Sequence, residues 1–196
     1  MIMALRKPYT QQRDNACRPD PHGGEEEMVQ VLKEIPAEQR WDIATRCSDM
    51  MPFVYNQAFS KIAPERQSEL DRAEKEIWRE FGKRQGDIAK NIGYPTNSAI
   101  EVAKAFNEIS RIVLGPQLQG RIIQEKGDSA TIITEQCPMA ANTERFGAEA
   151  RHTCELCSAY GKAATESLNP NYHISTETHM CMGDSSCRMS IEKIQR

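Results

Sequence analysis

The sequence predicts an α+β protein: N-terminal helices packed on an antiparallel sheet of about four strands, with a helix between two hairpins. Three observations point there. Residues 25–115 place apolar side chains at helical spacing. Residues 116–196 hold two pairs of short alternating segments, and a helix-patterned stretch ending at Asn169-Pro170 divides the pairs.

In chain order, residues 1–24 contain Pro8, Pro19, Pro21, Gly23 and Gly24 among polar residues and read as a mobile arm. Glu25–Glu27 open a helix, since acids suit its positive end. "AEQRWDIATRCSDMM" continues as helix until Pro52 kinks or breaks it. In the next segment Leu70, Ala73, Ile77, Phe81, Ile88 and Ile92 form one stripe, read as packing, with Pro64 in the first turn and Gly93 at the end. Ser98 and Glu101 form a capping box, followed by the stripe Ala99, Val102, Phe106, Ile109 and Val113. "LQGRIIQEKGDSATIITEQC" then reads as a hairpin around a Lys126-Gly127-Asp128 turn. "TERFGAEARHTCELCSAYGKAATESLNP" returns to helix, and "NYHISTETHM" and "CRMSIEKI" form the second hairpin. The implied division is arm, helical region (residues 25–115) and cysteine-rich α+β module (residues 116–196).

The 196 residues are 39% hydrophobic, 27% charged and 6% aromatic, with a formal charge of −3, so electrostatics supply no reason to expect nucleic acid as a partner. A mean hydropathy of −0.64 and the lack of a long apolar run argue against a membrane span. No secretory apolar stretch precedes the polar N-terminal residues, so the expected location is cytoplasmic, with thiols reduced. The expected partner is a small molecule, and a homodimer is compatible with this reading.

Five of the seven cysteines (Cys137, Cys154, Cys157, Cys181 and Cys187) fall in the last third of the chain. Strand alternation puts His173, Ser175, Glu177, His179 and Cys181 on one face. A tight Gly183-Asp184 turn brings Cys187 back towards Cys181. Cys154 and Cys157 are neighbours on one helix surface. A soft metal needs about four nitrogen or sulfur ligands, and Cys154, Cys157, Cys181 and Cys187 supply that number. Free cysteine is also among the most buried residue types, so each one alone is equally readable as core.

Cys157, "SAYGKAATESLNP", the strand carrying Glu177 and "CMGDSSCRMSI" together resemble the closing half of the 4-vinyl reductase, or hydrocarbon-binding, domain. That resemblance implies apolar ligands bound over a sheet and a zinc held by three cysteines and one glutamate, here Cys157, Glu177, Cys181 and Cys187. Glu177 stands four residues before Cys181, where the family has three, which makes His179 a competing ligand. Over about residues 60–194, "EQCP", the helix cysteine, "NP" and "GDSSC" resemble the L-2-amino-thiazoline-4-carboxylic acid hydrolase family, which opens a thiazoline ring by adding water.

Three functions follow as expectations. A hydrolase acting on a cyclic carbon–nitrogen bond would use zinc, or a Cys137 thiolate if His152 or a helix N-terminus lowers its pKa, with Glu177 or His179 moving the proton. A small-molecule-binding or sensing module would use zinc only as a structural staple. An iron–sulfur protein would place four of the five thiolates on a cluster.

Overall fold

The computed structural model describes residues 35–195, so the expected arm and the Glu25–Glu27 helix start lie outside the described residues. Among the described residues two short helices come first, α1 (Ala37–Asp49) and α2 (Met51–Ile62). The break between them falls where Pro52 enters, in the first turn of α2, where its missing N–H removes no helical hydrogen bond. After a 3₁₀ turn at Pro64–Arg66 the long helix α3 (Gln67–Asn91) begins, and α4 (Ala99–Leu114) follows. The capping box forms: Ser98 Oγ accepts the Glu101 N–H at 3.4 Å, and Glu101 Oε2 accepts the Asn97 N–H at 2.7 Å.

The sheet consists of β1 (Gln119–Gln124), β2 (Ser129–Gln136), β3 (Tyr172–Thr178) and β4 (Cys187–Lys193). Its order is β1-β2-β4-β3 and every neighbouring pair is antiparallel, which is the α+β architecture expected. Between the hairpins lie two helices rather than one, α5 (Pro138–Phe146) and α6 (Ala150–Leu168). Gly147 divides them with φ +60°, a left-handed conformation that ends a helix and that glycine adopts without steric cost.

Helices α4 and α6 cover one face of the sheet. Val102, Phe106, Ile109, Leu156, Tyr160, Ile132, Ile174 and Ile191 are buried between them. Of the stripe expected on α3, Phe81 packs against Trp78 and Tyr160, but Ile77, Ile88 and Ile92 are 65%, 45% and 60% exposed. Trp78, Gly82, Gln85, Gly86 and Ala89 are buried instead, where α3 lies along α6. The approach is too close for side chains, since a Cβ on Gly86 would sit 2.7 Å from the Ala164 carbonyl oxygen. Among the described residues no helix is long and apolar enough to cross a membrane.

Candidate functional site

All five late cysteines converge. Cys137 caps the start of α5, Cys154 and Cys157 lie on α6, Cys181 sits in the 3₁₀ turn Met180–Met182 and Cys187 begins β4. These residues and His179 line one cavity of about 100 Å³ beneath the sheet. Phe106, Tyr160, Ile132 and Met189 form its apolar wall. A broader, more open cleft of about 810 Å³ shares Cys137 and Cys181 with the cavity and includes Glu144 and Asp184.

Burial controls the thiols. The backbone N–H groups at the start of α5 favour a Cys137 thiolate, yet desolvation outweighs them and its pKa rises to about 11. Cys154 is pushed to about 12, first by burial and then by Cys181. Burial likewise raises Cys157 well above the ordinary thiol range, and Cys187 above it. The Met180 N–H donates to Cys187 Sγ at 3.2 Å. Neighbouring thiolates would repel one another, and a soft cation reverses both penalties at once.

Glu177 does not join this group. A register irregularity between Thr176 and Thr178, followed by the 3₁₀ turn, breaks the strict alternation read from the sequence. Glu177 is exposed, accepts a hydrogen bond from Ser190 Oγ at 2.8 Å and pairs with Arg188 Nε at 3.2 Å. His173 is also exposed and faces Glu192. His179 and Cys181 line the cavity with Thr176.

A second cluster, which the sequence reading did not find, joins α3 to α6. One donor atom each from Asp71, Glu74 and His152 lies within 4.8 Å of the others, and among the described residues this is the group of histidine, cysteine and carboxylate side chains that meets that spacing. No three of the described cysteine sulfurs do. His152 Nε2 is 2.7 Å from Glu74 Oε2 and 3.8 Å from Asp71 Oδ1. Hydrogen bonding to Glu74 raises the His152 pKa, against the opposing effect of burial. Asn56 Nδ2 donates to Glu74 at 2.9 Å and Gln67 Nε2 to Asp71 at 2.7 Å. A set of two carboxylates and one imidazole suits a divalent cation such as zinc. Asp71 and Glu74 are one helical turn apart, but 78 residues separate Glu74 from His152, so no local motif announces the group.

No protein-family model matches the chain, and no curated protein matches it. The two family resemblances therefore rest on the motif residues alone. Among solved structures, the chain is similar to a trafficking protein particle complex subunit 3 from Naegleria fowleri covalently bound to palmitic acid. The TM-score is 0.52 at 9% identity, covering 78% of this chain and 96% of that one. At that identity the likeness is one of fold.

Proposed function

We propose that the chain is a small-molecule-binding module built around a soft-metal centre, with Cys154, Cys157, Cys181 and Cys187 as ligands to zinc. The observation that carries this reading is the convergence of five cysteines from four elements on one small cavity. The donor chemistry fits, and so does the volume. At about 100 Å³ the cavity is smaller than the roughly 150 Å³ that holds benzene. It suits an ion rather than an organic ring, and an acyl chain such as the palmitic acid of the Naegleria protein does not fit it. Coordination would draw the sulfurs to about 3.8 Å from one another, as ligands about 2.3 Å from one ion require. The organic ligand then belongs in the open cleft, against Cys137 and Cys181.

Hydrolysis of a cyclic carbon–nitrogen bond, as in 2-amino-thiazoline-4-carboxylate, is the second reading. The open cleft favours it, because a substrate there would reach the thiol group through Cys137 and Cys181. With a pKa of about 11, Cys137 is ionised to only about one part in ten thousand at pH 7, which disfavours it as the attacking thiolate. His179, rather than the outward Glu177, would carry the proton. Bound zinc would supply a Lewis acid at neutral pH.

Anaerobically purified protein tests both. One thiol-bound zinc per chain, no visible absorption, and a joint loss of that zinc and of melting temperature in Cys187→Ser support the module. A brown protein containing sulfide would replace it with an iron–sulfur centre. Full zinc occupancy and unchanged melting in Cys187→Ser would leave Cys187 as core. Turnover of the thiazoline by zinc-replete protein, abolished in His179→Ala, would establish the hydrolase, and no turnover removes that substrate.

A further inference from the structure

The helical half of the molecule carries its own ligand set. Asp71 and Glu74 project from one turn of α3 towards His152 on the opening turn of α6, and all three line a cleft of about 390 Å³. Phe53, Phe146 and Leu156 supply the apolar part of its lining, with Phe53 and Phe146 stacked at 5.8 Å. The Glu74 and His152 side chains are 12% and 15% exposed, and Asp71 is 35% exposed on the solvent side.

A plain ion pair between His152 and Glu74, tying two helices together, accounts for only part of this. The cleft is lined by three carboxylates, Asp71, Glu74 and Glu149, by one imidazole, and by no lysine or arginine. Even a protonated His152 balances only one of the three carboxylates, and the other two reach solvent, Asp71 at 35% exposure and Glu149 exposed. The groups that orient Asp71 and Glu74 are the neutral amides of Gln67 and Asn56, which fix carboxylate positions without neutralising them. Amides hydrogen-bonded to ligating carboxylates are the usual support around a metal.

We propose that Asp71, Glu74 and His152 form a divalent-cation site, separate from the thiol cluster, with its open side towards the cleft. One imidazole with two carboxylates is a harder donor set than four thiols, so it takes a first-row ion of the manganese(II), iron(II) or zinc class. This inference stands on the helical cleft and does not depend on the thiol-lined cavity.

Manganese(II) is the discriminating probe, because thiols select softer ions. Full-length protein stripped with a chelator is titrated with Mn²⁺, and the free ion is followed by its electron paramagnetic resonance signal. The expected result is one Mn²⁺ bound per chain, at least tenfold weaker binding in Asp71→Asn and in His152→Ala, and unchanged binding in Cys187→Ser. Asp71 is the least buried of the three, so Asp71→Asn keeps the fold, which circular dichroism and the metal-free melting temperature check. No Mn²⁺ retained at millimolar concentration overturns the site. So does equal binding by wild type and both cluster variants, or binding that disappears only in Cys187→Ser. Thiol-bound zinc in Asp71→Asn, measured as the zinc released by a thiol-specific mercurial, stays at the wild-type value if the thiol centre exists, so failure of one reading is distinguishable from failure of the other.

Discussion

The thiol-lined cavity and the helical cleft are built on the same helix and differ in almost every other respect. His152 turns from α6 towards α3, whereas Cys154 and Cys157, within the next two turns, line the cavity beneath the sheet. One region is small, about 100 Å³, and made of soft donors whose charged forms burial opposes. The other is larger, about 390 Å³, and made of hard donors. Four protein ligands suit a staple, because no position is left for an exchanging ligand. Three protein ligands leave a position at which a ligand can come and go. The same helix thus offers two kinds of metal chemistry, selected by which neighbour each face meets.

The largest expected effect comes from separating α3 from α6. A Cβ on Gly82 would overlap the Tyr160 carbonyl oxygen and lie 3.0 Å from its carbon, and backbone cannot rotate out of the way as a side chain can. Gly82→Ala gains about 1 kcal/mol of helix propensity. The overlap costs up to about 3 kcal/mol or more, so the net change is a loss of about 2 kcal/mol, measurable by urea unfolding. Because Asp71 and Glu74 move with α3, Mn²⁺ affinity should fall in this variant. Thiol-bound zinc should hold, since α3 contributes no thiol. A variant that loses zinc and keeps Mn²⁺ would invert the comparison.

How much was legible in the sequence follows the same divide. The capping box at Ser98, the Lys126-Gly127-Asp128 turn and the stripe of Val102, Phe106 and Ile109 are local patterns, and each is found in the structure. The cysteines were legible as a group because they are chemically unusual and lie within 51 positions, Cys137 to Cys187. Glu177 was grouped with Cys181 because alternation assumes an unbroken strand. It stays on the outer face with His173 and Ser175, and the irregularity after Thr176 turns His179 and Cys181 to the cavity. The α3 stripe was misread for another reason. Its buried face contains Gly82, Gly86 and Ala89, which give no hydrophobic signal, while the isoleucines that do are left outside. That glycine-mediated approach also brings Glu74 to His152, so the two omissions share one cause.

A smaller effect sharpens the description of the cavity. Ser110 Oγ and Tyr160 Oη, both buried, lie 3.0 Å apart at its lining, and burial pushes the Tyr160 pKa to about 12, so the phenol stays neutral. Tyr160→Phe strands the Ser110 hydroxyl at a cost of about 1.5 kcal/mol. The double variant Ser110→Ala with Tyr160→Phe should recover part of that loss, because no polar group is then left unpaired. Zinc content should not change in either. If the double variant is as unstable as the sum of the singles, the hydroxyls act independently and the bond is not what stabilises this end of the cavity.

The smallest effect serves as a control at the other end of the sheet. Asp128 lies in the β1–β2 turn, next to the pairing of Ser129 with Glu192, whereas Cys187 pairs with Thr134 at the far end of the same ladder. Its carboxylate accepts the Ala99 N–H at 2.8 Å, at the start of α4, and the Tyr172 hydroxyl at 2.6 Å. These two hydrogen bonds, the backbone one first, hold its pKa below the ordinary aspartate range. A depressed carboxylate stabilises the fold at pH values above its unfolded pKa, near 3.9. That contribution is lost as pH falls through the lower folded value. Loss of a helix cap costs about 1 kcal/mol, and the group's exposure argues for no more than this in Asp128→Asn. Stability at pH 7 should therefore drop by that amount, with the gap between wild type and variant closing below about pH 3.9. Zinc and Mn²⁺ binding should match wild type throughout. A change in either would mean that the two metal regions respond to general loosening of the fold, and the differences between them would then have to be remeasured at equal stability.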